Sequence, residues 1–130
     1  MRKSSIYRLL IVIIIALFTL GCGFIAVESP SKVVKEYFTA LNAGNAAEVE
    51  KNLSPTWIDA LKLEYNVQDH VGEKVIEHWQ RFNYGSVEIL DQKIDGDTAV
   101  VEYKFERMPA IIQATLSNVT GKWMLTEIKF

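Results

Sequence analysis

Few side chains in this sequence are placed to do chemistry, and the first to weigh are the two histidines, His70 and His78, eight positions apart. His78 is flanked by Trp79 and shares its stretch with Val75 and Phe82, so a base there could have its proton affinity set by apolar neighbours. On an amphipathic helix, however, a polar residue beside a buried Trp belongs at the wet rim, and catalysis is not the reading favoured. Glu102 and Glu106 alternate with the apolar set Ala99, Val101, Tyr103 and Phe105, which sends both carboxylates outward. Asp91, Asp95 and Asp97 lie close together, but a hairpin uses Asp for backbone reasons. Two His without a cysteine pair fall short of a zinc ligand set, and no Gly-rich phosphate loop is present. No metal, cofactor or catalytic residue is assigned.

The one cysteine, Cys22, has chemistry of another kind. It follows Arg2, Lys3 and Arg8, then the apolar run Leu9 to Leu20, then Gly21. Cations, about a dozen aliphatic residues and a small residue at the cleavage point are the build of a secretory leader. The cationic end stays in the cytoplasm, so the chain beyond is exported. With no second thiol for a disulfide, Cys22 needs another use. Thr19-Leu20-Gly21-Cys22 resembles the lipobox of bacterial lipoproteins, in which the sulfur takes a diacylglyceryl group before cleavage ahead of the cysteine. Gly21 and Cys22 match, whereas the usual order of Leu and then a small residue is swapped at Thr19-Leu20. Two or more acyl chains, at about 0.8 kcal/mol per buried methylene, would anchor the protein stably. The alternative is an uncleaved transmembrane anchor, since no charge falls from Leu9 through Val27 and roughly 19 residues at 1.5 Å nearly cross a 30 Å hydrocarbon core. Clean secretion is a third outcome. All three place the remainder in the cell envelope or outside it.

The expected organisation is a leader over residues 1–22, a tether over 23–29 and a single domain over 30–130. Without Arg2, Lys3 and Arg8 the chain carries 11 basic against 16 acidic residues, a net charge of −5. That argues against nucleic acid and against a face that clings to anionic lipid. The partners expected are membrane lipid through the anchor and either another envelope protein or a second copy of the chain.

The elements that must position any site follow from punctuation and period. Ser29-Pro30 and Ser54-Pro55 each start a helix, the Ser capping free N–H groups and the Pro preset for the first turn. Val33, Val34, Tyr37, Phe38 and Leu41 form one apolar stripe, ended by Asn42-Ala43-Gly44. Asn45 with Glu48 resembles a capping box for a short second helix to about Leu53. Trp57, Ile58 and Leu61 face a third helix inward. Asp69 is the expected cap of a fourth, with Val71, Val75, Trp79 and Phe82 along one side. From Gly85 the period becomes two. Val87 to Ile94 and Thr98 to Arg107 are strands joined at Asp95-Gly96, Met108-Pro109 turns the chain, and Ile111 to Ser117 and Lys122 to Phe130 complete a four-stranded meander. In the last strand Trp123 and Leu125 oppose Met124, Ile128 and Phe130, which requires a bulge or a sheet buried on both faces. The fold expected is α+β, helices packed on one face of an antiparallel sheet.

The run from Ser29 through Asn45, followed by Leu53-Ser54-Pro55 and the late Gly121-Lys122-Trp123, is similar to small bacterial lipoproteins of the nuclear-transport-factor-2-like class that carry a lumazine-binding-like domain of unknown function. The resemblance implies a curved sheet wrapped around the first helix as a cone with a pocket at its open end. It also implies a class holding isomerases and dehydratases beside domains without catalysis. A non-catalytic binding or interaction module is the expected function. Tyr37, Trp57, Trp79, Tyr103 and Phe105 are the aromatic residues expected to line a pocket, against the plainer reading that they fill the core. The interaction reading rests on the last strand as an open edge.

Overall fold

The computed structural model of the chain describes residues 28–129, so the leader, Cys22 and Phe130 lie outside the described residues. Helix α1 (Pro30–Ala43) starts where Ser29 accepts a bond from the Lys32 N–H and ends at Gly44 with φ of 73°. Its stripe of Val33, Val34, Tyr37, Phe38 and Leu41 is buried. Asn45 caps the short α2 (Ala46–Lys51), and Ser54 caps α3 (Pro55–Tyr65), whose end turns through Asn66 in the left-handed region. Helix α4 (Val71–Trp79) departs from expectation at both ends. His70, with φ of 59°, occupies the cap position and its side chain makes no cap bond, so Asp69 is not the cap. An acceptor from another helix replaces it: Glu50 Oε1 takes the Gly72 N–H at 3.1 Å. The helix stops at Trp79, leaving Phe82 in the connection beyond it.

The sheet comprises β1 (Val87–Asp95), β2 (Thr98–Phe105), β3 (Met108–Val119) and β4 (Lys122–Lys129), in that order and antiparallel throughout. Asp95 pairs with Thr98, so the first turn is Gly96-Asp97, one residue later than the Asp-Gly signal suggests, with Gly96 taking the positive φ. The second turn is Glu106-Arg107, and Met108-Pro109 opens β3 rather than turning the chain. Proline is accommodated there because β4 pairs with β3 only from Gln113 onward, leaving the residues around Pro109 on an overhang where no donor is required. The third turn, Thr120-Gly121, carries positive φ at both positions.

A bulge settles the ambiguous last strand. Leu116 pairs with Leu125 and Thr115 with Glu127, so β4 spends an extra residue at Thr126. Leu125 and Ile128, three apart, therefore reach the same face as the buried Ala114 and Leu116.

The architecture is thus α+β, with α1 lying against β1, β2 and β4, and with α3 and α4 beside it. The cone implied by the resemblance is not the form adopted: the sheet is open and uncurled, its edges β1 and β4 unpaired with each other. Short polar ties hold the helices to those edges instead. The Ser31 N–H and hydroxyl both donate to Gln92 Oε1 of β1, at 2.9 and 2.6 Å. On the far side the Ser54 N–H donates to Leu125 O and the Leu125 N–H to Asn52 O, each at 2.8 Å. Among the described residues no helix is long and apolar enough to cross a membrane.

Candidate ligand-binding cleft

Between α1, α3, α4 and the connection that follows α4 lies a partly open cleft of about 530 Å³, within the range of small-molecule sites. Helix α3 brings Trp57, Leu61, Glu64 and Tyr65 to it, α4 brings Val75, His78 and Trp79, and Ile128 reaches it from β4 through the bulge. Trp79 is the fixed wall. Its indole N–H donates to Asn42 Oδ1 at 2.9 Å, and its ring lies 5.4 Å from Phe38 and 5.3 Å from Phe105. Tyr84 meets Trp79 edge-on at 5.4 Å and stacks on Phe82 at 5.3 Å. Trp57 faces Tyr37 at 6.4 Å.

Of the five aromatics expected at a pocket, Tyr37, Trp57 and Trp79 line this cleft. Tyr103 and Phe105 do not; they sit against Phe38, at 5.1 and 4.9 Å, with at most 1% of their surface exposed. Sequence reasoning did not single out Glu64, Tyr65 and Tyr84. The signal for the first two was present, because 57, 61, 64 and 65 fall on one side of a helix.

Polar groups in the cleft are few. His78 is exposed, and its ring neighbours are Tyr65 at 6.4 Å and Phe82 at 5.5 Å, an apolar rim rather than a charge relay. Burial, and secondarily the Glu64 carboxylate, holds the Tyr65 hydroxyl above the usual tyrosine range. Burial does the same to Tyr37, with Tyr65 adding to it. Both hydroxyls are therefore neutral donors near pH 7. Glu102 lies on the other face of the sheet, where Gln113 Nε2 donates to it at 3.2 Å, and Glu106 sits in the second turn. Among the described residues no group of three His, Cys, Asp or Glu could hold a metal ion.

No family model matches the chain, and no curated protein matches it in sequence. A solved structure does match in fold: the solution structure of a SEC-C motif containing protein from Rhodopseudomonas palustris, at 16% identity and a TM-score of 0.59, over 78% of this chain and 77% of that one. At such an identity the likeness concerns fold alone.

Proposed function

We propose that this chain is an extracytoplasmic lipoprotein, anchored through lipid on Cys22, whose domain is a non-catalytic module that holds a small apolar or aromatic molecule in the cleft. One observation carries the ligand reading: seven aromatic side chains line a concave space in which Trp57 and Tyr65 are only half-buried, so ring surface is left for an occupant. The anchor reading is supported by the leader pattern and by the lone thiol after Gly21. Kinship with the nuclear-transport-factor-2-like lipoproteins belongs to the same proposal, supported by the run from Ser29 to Asn45. Docking through the edge of β4 has less behind it, since Asn52 and Ser54 already occupy that edge at Leu125.

The ligand reading is tested with 4-fluorobenzyl alcohol, a water-soluble aromatic probe, followed by ¹⁹F NMR on the full chain in a non-ionic detergent. The resonance should broaden saturably with the natural chain, and not with Trp57→Ala or the cleft-filling Val75→Phe in the same detergent. Equal broadening in all three overturns it. Mass spectrometry of the native N-terminus should find diacylglyceryl-modified Cys22; an unmodified thiol with the leader retained overturns the anchor.

A further inference from the structure

We infer that the cleft takes an organic cation, an ammonium group set among aromatic rings with Glu64 as its counter-charge; this rests on reading the cleft as a small-molecule site. Charge is the first argument. Glu64 is the one carboxylate among the thirteen lining residues, and none of them is Lys or Arg. Glu64 makes no ion pair among the described residues, whereas Glu77, which lies beyond the cleft on α4, is engaged by Lys74 and Arg81. An anionic ligand would meet an acid and no Lys or Arg, with His78 at the rim as the one basic side chain of the lining. A cation would meet a counter-charge without an ion-pair partner among the described residues, in a chain whose net charge without the leader is −5.

The second argument is ring geometry. A cation is attracted to the face of an aromatic ring and not to its edge, so an enclosing site needs faces on several sides. Here two neighbouring pairs stand steeply to one another, Trp79 and Tyr84 at 62° and His78 and Phe82 at 67°, while Phe82 and Tyr84 stack within 3°. The wall therefore turns at Trp79 and at His78, and Trp57 on α3 is tilted by 35° to the buried Tyr37 on α1.

Choline and 3,3-dimethyl-1-butanol, its uncharged carbon isostere, separate charge from shape. Titrated into the full chain in the same detergent and followed by tryptophan fluorescence, choline should bind at least about fivefold more tightly. Glu64→Gln, at an exposed position on α3, should weaken choline about two- to fivefold, leave the isostere unchanged and leave the circular dichroism spectrum intact. Equal affinity for the two compounds overturns the cation assignment while leaving the cleft a site for neutral apolar molecules. Absence of choline binding also overturns it, and the fluorobenzyl alcohol titration then shows separately whether the cleft holds any ligand.

Discussion

The aromatic residues fall into two groups that differ in surroundings rather than in kind. Against the sheet, Phe38, Tyr103 and Phe105 meet at centroid separations of 4.9 to 5.5 Å and are at most 2% exposed. Around the cleft, Trp57, Tyr65 and Tyr84 are half-buried and Phe82 is 41% exposed. In the first group Tyr103 and Phe105 are set by strand register, which repeats every second residue, and Phe38 reaches them from the buried stripe of α1. The second is assembled from two short helices and a connection, each tied down separately, and the layers part between them. Aromatic content therefore does not mark a site; a ring becomes available where no single periodic element governs its neighbours. Trp79 belongs to both groups, packed on Phe105 on one side and on Tyr84 on the other.

If that division is real, truncations on its two sides should differ most. Phe105→Ala should cost about 3–5 kcal/mol, a large part of a domain's total stability. Trp57→Ala, removing a half-buried ring, should cost about 1–2 kcal/mol and leave a cooperative transition. Urea denaturation followed by circular dichroism reads both. Equal losses would mean that the cleft wall is as much core as the sheet cluster, and the comparison would collapse.

A smaller effect tests the seam on which the cleft's helical side depends. A Cβ on Gly72 would stand 2.6 Å from the Ala46 carbonyl oxygen and 2.9 Å from Glu50 Cγ, and the first of these is backbone that cannot step aside. Gly72→Ala should thus push α4 off α2, break the bond from Gly72 to Glu50, and cost about 1–3 kcal/mol. Amide exchange should accelerate along α4 and remain slow in β2 and β3. Acceleration in the strands as well would show the two layers opening as one unit.

How much of this was legible in the sequence depended on the range of the interaction concerned. Ser29-Pro30 and Ser54-Pro55 spell their helix starts locally, and both side chains cap as their types dictate. The start of α4 is satisfied by Glu50, 22 positions earlier, a donor–acceptor match no local pattern contains. Strand alternation put Tyr103 and Phe105 on the inner face correctly, but it reports face and not depth, so it could not separate them from Trp57 at the cleft. The first turn slipped by one because Asp-Gly states which residue tolerates positive φ without stating its place in the turn. In the third turn Thr120 takes φ of 51° despite its β-branch, so cross-strand pairing at Val119 and Lys122 overrides local preference there.

The finest cut through the comparison is a single oxygen. Tyr103 is fully buried, and among the described residues its hydroxyl has no hydrogen-bond partner. Replacing it by Phe removes a desolvated polar atom and keeps the ring, so Tyr103→Phe should leave stability at pH 7 unchanged or raise it by about 1 kcal/mol. The same hydroxyl links stability to alkali. Burial, and secondarily Tyr37, holds its pKa above the ordinary tyrosine value of about 10, so the unfolded chain releases this proton first as pH rises. The stabilisation is complete below about pH 10 and is lost above it, by at most about 1.4 kcal/mol per pH unit for one group. Tyr103→Phe should therefore flatten the alkaline decline that Tyr37 continues to produce, measured as urea midpoints from pH 8 to 11. A loss of 1 kcal/mol or more at pH 7 would instead show the hydroxyl engaged, and would move Tyr103 from the closed cluster to the polar side of the cleft.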